Sequence, residues 1–271
     1  MTKFADMHTH TPLCGHAAGE PEEYAAQAIR AGLSFYGASD HFPLPEGYPL
    51  YDSMRVHELH PLYRDDWMPR LRKVLEAAGI EVLYGTEFDF LPGNMAESRP
   101  MMEAENFDYR ISSIHFLGHG EVDHSTEGWE AMGGADRVWH DYAVTMEQMV
   151  SEGGFEIIGH IDLPKKFGVY PSDKRAYALA MHDVLKMAAA KGICMELNTA
   201  GLRKPVKEIY PAPEIVRIAF DAGVNITFGS DCHAPCEVGA DFSKAMALAK
   251  AAGYRSAFTF RKKQALELPF D

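Results

Sequence analysis

Cysteine is scarce in this chain: Cys14, Cys194, Cys232 and Cys236 are the only four in 271 residues. That density excludes a disulfide scaffold, and a chain of this length buries a sizeable core without covalent staples. Reduced thiols are therefore expected. Cys232 and Cys236 have a spacing found in zinc sites, yet no second cysteine pair accompanies them, which argues against a structural cysteine–zinc knot. Long apolar runs are lacking as well. Nothing approaches the roughly 18–20 residues of a membrane span, and the opening MTKFADMHTH has no charged-then-apolar layout of a signal peptide. A soluble, cytoplasmic protein with no membrane partner is the expectation. Positive charge is short too, with 26 Lys and Arg against 39 Asp and Glu for a formal net charge of −13. Such a surface disfavours unaided binding to nucleic acid, which needs basic groups to replace counterions. An anionic ligand would need local positive charge, and bound metal ions can supply it. Low-complexity linkers and repeats are also missing, so one domain over 1–271 is expected.

What the chain does have is alternation. Short apolar runs at 3–8, 33–39, 81–88, 109–115, 155–160, 193–198 and 224–230 read as strands, each followed by a loop and a helical pattern. Pro21 near the start of one helix and Gly32, Gly79, Gly192 and Gly223 just past the ends of others give conventional punctuation. Seven βα units in one α/β chain predict a distorted TIM-like (β/α)7 barrel.

The unusual polar residues fall at the C-terminal ends of those strands, the rim where such barrels build active sites. The ends read His8-Thr9-His10, Ser39-Asp40-His41, Thr86-Glu87-Phe88-Asp89, Ser113-Ile114-His115, Gly159-His160-Ile161-Asp162, Glu196-Leu197-Asn198 and Ser230-Asp231-Cys232-His233. On a strand, His-X-His places both imidazoles on one face, where they can chelate one ion. Alone that motif is weak, because a pair of surface histidines gives the same pattern. Joined by His41, His115, His160, Asp231 and His233 at four other strand ends, it predicts a metal site at the rim. Seven histidines, counting His16, together with Glu87 and Asp231 exceed what one four-coordinate ion needs, so two or three ions are implied. Nitrogen and carboxylate donors suit zinc, manganese or iron. Ions grouped in this way activate water and clamp phosphoryl oxygens, which makes hydrolysis at phosphorus the leading chemistry.

The runs MHTHTPLCGHA, GASDHFP, GTEFDF, SSIHFL, IGHIDL, ELNTAGLRKP and GSDCHAP resemble the PHP (polymerase and histidinol phosphatase) family over essentially the whole chain. In motif order and length the resemblance is greatest to the histidinol-phosphate phosphatases of that family. It implies a (β/α)7 barrel with three divalent ions. His8, His10, Glu87 and Asp231 would hold one; Glu87 would bridge to a second held by His115 and His160; His16, His41 and His233 would hold the third. It also implies a small-molecule phosphate ester, L-histidinol phosphate, cleaved to L-histidinol and phosphate in histidine biosynthesis.

Other residues carry more than one reading. Asp40 can be a ligand, an acid or the partner that orients a ligand histidine, and its place beside His41 favours the last. Asp231, His233 or a bound water can protonate the leaving alkoxide. Asn198, Arg203 and Lys204 follow the sixth strand and are candidates for substrate contact, with Arg203 suited to clamp phosphate. Lys165 and Lys166 have the same potential, weighed against a solvated basic loop. Asp89 and Asp162 are either rim caps or receivers of a substrate ammonium. His57, His60, His119, His124, His140 and His182 fall in helices or connections and are expected to be solvated or locally bonded. Rival functions are a PHP phosphoesterase for another small ester or a nucleotide, and a non-enzymatic metal-storage or metal-sensing protein.

Overall fold

The computed structural model describes residues 3–48 and 56–271. Seven parallel strands follow one another around a single sheet: β1 (Ala5–Asp6), β2 (Phe35–Ala38), β3 (Glu81–Asp89), β4 (Tyr109–Ser113), β5 (Ile157–Ile158), β6 (Cys194–Asn198) and β7 (Ile226–Gly229). Each strand is buried along nearly its whole length, which is why they read as apolar runs and not as alternating patterns. The first and last strands meet along a seam just beyond their regular pairing. There the Met7 N–H donates to the Phe228 carbonyl at 2.9 Å, the Asp231 N–H to His8 at 2.7 Å and the His10 N–H to Cys232 at 3.0 Å. The result is the expected TIM-like (β/α)7 barrel, distorted where β1 and β5 keep only two regular residues each.

The outer layer comprises α1 (Pro21–Arg30), α2 (Val56–Leu62), α3 (Met68–Ala77), α4 (Met95–Ala104), α5 (Ala135–Glu152), α6 (Lys174–Lys191), α7 (Pro213–Ala222) and α8 (Phe242–Ala252). Glu20 and Glu23 form a reciprocal capping box ahead of α1, with Pro21 in its first turn. The helical stretch ahead of Gly79 runs through α2, a π-helical turn over Tyr63–Trp67 and α3. Pro61, inside α2, has no N–H for the ladder, and the wider turn follows it directly.

Two hairpins interrupt the βα rhythm. Phe116–Leu117 pairs with Gly120–Glu121 between β4 and α5, beside the rim. Ser256–Arg261 pairs with Gln264–Pro269 after α8 and plugs the opposite mouth of the barrel. Its Phe260 and Leu268 pack with Ala5, Met7, Phe35, Leu83, Tyr109, Ile111, Ile157 and Cys194. Tyr109 crosses the barrel interior and donates to the Met7 carbonyl at 2.7 Å, fixing the backbone immediately before His8. Gly85 makes room for that ring, since a Cβ there would stand 2.4 Å from Tyr109 Cζ. A second, larger apolar cluster lies between sheet and helices, with Leu71, Leu75, Met146, Met149, Leu185 and Val216 fully enclosed.

Candidate metal centre

Because side chains alternate along the extended chain that continues β1, Thr9 turns outward to donate to the Gly37 carbonyl at 2.9 Å while His8 and His10 face the barrel mouth. There, His8 Nε2 lies 3.1 Å from His10 Nε2 and 3.2 Å from Glu87 Oε2. His10 Nε2 lies 3.4 Å from the same oxygen and 3.2 Å from Asp231 Oδ1, which is 3.9 Å from His8 Nε2. An ion with bonds of about 2.0–2.1 Å in tetrahedral geometry has donor–donor edges of roughly 3.3–3.4 Å, close to these separations. Glu87 turns its other oxygen, Oε1, toward His160 Nε2 at 3.1 Å and His115 Nε2 at 3.8 Å. A third group brings together His16, His41 and His233, with 2.9 Å between the Nε2 atoms of His16 and His233.

Acceptors hold the far nitrogens of His8, His115, His16 and His233, while Nδ1 of His10 and of His160 makes no hydrogen bond among the described residues. His8 Nδ1 meets Glu196 Oε1 at 2.7 Å, His115 Nδ1 meets Asp89 Oδ1 at 2.9 Å, and His10 Nδ1 lies 3.5 Å from Asp40 Oδ1. His16 and His233 direct Nδ1 to the carbonyls of Cys14 and Asp231, each at 3.2 Å. A carbonyl only accepts, so both of these rings carry their proton on Nδ1, and their Nε2 lone pairs face each other at 2.9 Å. That arrangement is repulsive without positive charge between them. The donor set therefore fits divalent ions, and the backing acceptors are the kind that fix the tautomer of a ligand histidine.

Electrostatics divide the site. Burial, then His10, lowers His233 to about 3, and the same causes hold His41 well below its ordinary range, so both rings stay neutral and free to ligate. Burial lowers His8, but Glu196, Glu87 and Asp231 outweigh it and raise the ring well above its usual value. Burial also acts against ionised Glu87 and Asp231, yet the surrounding imidazoles, His8 foremost, hold both well below the ordinary carboxylate range. Cys14 lies near His10 and His233, but burial and then the Asp40 charge push its thiol up, away from the thiolate a metal would require.

A cavity of about 540 Å³ opens onto these groups. Its wall continues through Phe116, Glu121, Asp123, His124, Leu163, Lys166, Lys204 and Tyr210. Lys204 thus faces the mouth as read from sequence, and so does Lys166, which donates to Asp123 Oδ2 at 3.0 Å. Asn198 is turned inward, giving its amide N–H groups to Glu196 and Asp231 at 3.1 Å each and accepting from the Ala200 N–H. Arg203 lies outside the cavity wall, donating to the Ser230 carbonyl at 2.7 Å and pairing with Glu237 at 3.0 Å. Asp162 is no rim carboxylate: it is buried on Lys165 at 3.0 Å and faces a different cavity. Lys165 is buried with it, whereas Asp89 serves His115. Asp40 sits behind His10, accepting from Thr11 Oγ1 and from the His41 N–H, the orienting position. His60 is enclosed by Phe42, Tyr63 and Phe107, and His124 reaches the cavity wall.

Glu196 has a role that its strand-end position in the sequence does not reveal. That position is its only signal there. Besides His8 it accepts from the His160 N–H at 3.1 Å, and it needs Gly229 beside it, where a Cβ would stand 1.9 Å from Glu196 Oε1.

A model of the PHP domain matches residues 6–200. This chain belongs to the PHP domain family. Among curated relatives of this PHP chain, a Deinococcus radiodurans protein named "Probable histidinol-phosphatase" is 38% identical over 270 residues, covering 97% of this chain and 99% of the relative. A "Histidinol-phosphatase" of Lactococcus lactis is 23% identical, covering 95% and 94%. The solved structure of the Lactococcus lactis histidinol phosphate phosphatase, complexed with zinc, L-histidinol and phosphate, has a TM-score of 0.74 at 22% identity and covers 97% of this chain and 99% of that one. Both molecules share the PHP barrel. Among the described residues, no helix is long and apolar enough to cross a membrane.

Proposed function

We propose that this PHP protein is a metal-dependent phosphomonoesterase that hydrolyses L-histidinol phosphate to L-histidinol and phosphate, a step of histidine biosynthesis. The observation that carries the reading is the convergence of nine donor residues from six strand ends and the β1–α1 loop beside a single cavity of about 540 Å³, a size suited to a small metabolite. Relatives bearing the histidinol-phosphatase name over nearly the whole chain supply the substrate.

His8, His10, Glu87 and Asp231 would hold one ion, Glu87, His115 and His160 a second, and His16, His41 and His233 a third, with zinc, manganese and iron all suited to these donors. Such ions would supply Lewis acidity, polarising the phosphoryl oxygens and acidifying a water for in-line attack. Glu87 can serve two ions because its oxygens face opposite groups. Lys204 and Lys166 bring the positive charge that an overall acidic protein must concentrate where a phosphate enters. Asp231 and His233 line the same cavity, but with Asp231 held ionised and His233 neutral they suit ligation, which leaves a bound water, the third candidate, to return a proton to the leaving oxygen. Glu121 and Asp123, across the mouth, suit the ammonium and imidazole of the substrate's other end.

Phosphate release should be compared across amino-alcohol phosphates, sugar phosphates and nucleotides for protein loaded with zinc, manganese or iron. Histidinol phosphate should give the highest kcat/KM. A nucleoside monophosphate or a phosphodiester with a higher value would overturn the substrate while leaving a phosphoesterase.

A further inference from the structure

A second cavity of about 270 Å³ lies between α5, α6 and the start of α7, and shares no wall residue with the metal centre. Trp139 and Tyr177 form an aromatic corner in it, their rings 4.7 Å apart at 78°, and Tyr170 stands parallel to Trp139 at 6.4 Å. The Lys174 ammonium rests 3.6 Å from the centre of the Tyr170 ring. Lys174 is an exposed first-turn residue of α6 on a long flexible stem, so the fold itself shows that this ring face accepts an ammonium and holds it with a removable side chain.

Two carboxylates stand beside that seat. Glu208 accepts from the Tyr170 hydroxyl at 3.1 Å, and Asp162 forms part of the wall. Both meet the one buried ammonium of Lys165, at 3.3 and 3.0 Å. With Lys174 and Glu214, the other charged residues of the wall, counted in, three carboxylates face two ammoniums, which leaves a negative charge over. Asp162 is 2% exposed, and its Oδ1 has no hydrogen-bond partner among the described residues. A buried acceptor in that state costs free energy until a donor arrives.

We propose that this cavity is a binding site for a small arylalkyl ammonium compound, its cation displacing Lys174 beside Glu208 and Asp162 and its ring lying against Trp139 and Tyr177. The probe is phenethylammonium, titrated calorimetrically into the metal-loaded full chain, with inorganic phosphate present and absent. Saturable one-to-one binding, unaffected by phosphate and not reproduced by phenylacetate, is expected. Glu208→Gln should weaken it about tenfold, the loss of one charge-assisted contact. Lys174→Ala should tighten it severalfold by removing the internal competitor. Both residues are outside the metal centre, and thermal melts verify that both variants fold. Lack of saturable binding in the wild type and in Lys174→Ala, equal binding of phenylacetate, or an affinity unchanged by Glu208→Gln would each overturn the proposal.

Discussion

Replacing Glu196 by Gln changes one atom for another of nearly the same size, yet the geometry leaves the amide no good orientation. Glu196 Oε2 accepts from the His160 N–H and from Asn198 Nδ2, each at 3.1 Å, while Oε1 faces His8 Nδ1 at 2.7 Å. A glutamine that keeps its oxygen toward the two donors must aim its NH2 at His8 Nδ1. His8 then has to accept there and carry its proton on Nε2, the nitrogen that faces His10, Glu87 and Asp231. The reversed amide sets its NH2 against two N–H donors instead. Either way the first donor group loses a ligand or gains a buried clash. Removal of such a backing partner costs 10–100-fold in metal affinity or activity, or about 1.4–2.7 kcal/mol. The assay is kcat/KM for histidinol phosphate, read beside metal content per chain after dialysis against a weak chelator and beside a thermal melt to verify folding. A folded Glu196→Gln protein within twofold of wild type in both activity and metal content would refute the assignment of Glu196 as the residue that fixes His8.

Glu87→Gln should lose most turnover and at least one ion, because one carboxylate serves two donor groups; His182→Ala, on the exposed face of α6, is the control and should keep both. Comparable activity in the two variants would contradict the bridging role. Gly229→Ala should lower the melting temperature and metal content together, since its Cβ would press on Glu196 and on His8 Cβ; overpacking of this kind costs about 1–3 kcal/mol. Burial holds the His60 ring below its ordinary pKa among Phe42, Tyr63 and Phe107. The unfolded chain therefore takes up this proton first, so the contribution is present above about pH 6.5 and is lost as pH falls. Denaturant melts at pH 7.5 and 5.5 should show a smaller acid loss in His60→Leu than in wild type, and equal losses would exclude His60 as a source.

The barrel was legible because its strands are short apolar runs with turn residues between them, and the rim because histidine and carboxylate recur at the ends of those runs. Which way a side chain turns after its strand was not. Arg203 leaves β6 through a 3₁₀ turn over Thr199–Arg203, and that turn, not the spacing, carries its guanidinium to Ser230 and Glu237. Asn198 and Asp162 look like rim groups in sequence, yet their partners Glu196 and Lys165 draw them inward. Glu196 itself could not be ranked above any other strand-end carboxylate, because its importance rests on a contact with His8, 188 positions away. The closing hairpin at 256–269 escaped for the opposite reason: its residues are mostly exposed, and only Ala257, Thr259, Phe260 and Leu268 mark a buried side.

The seam between β1 and β7 has one further consequence for a chain without disulfides. Its two edges supply donors to the same groups, His8 and His10 from one side, Asp231 and His233 from the other. An ion gripping both edges would act as a cross-link, closing a loop of roughly 220 residues. In the chain-entropy treatment of a disulfide, such a closure destabilises the unfolded state by about 5 kcal/mol. With the ions stripped, the edges would be joined by a few backbone bonds, among them those of Met7, His10 and Asp231. Those three amides should then exchange with solvent sooner than the amides of the pairing between β2 and β3, as if the barrel unzipped from its own clasp.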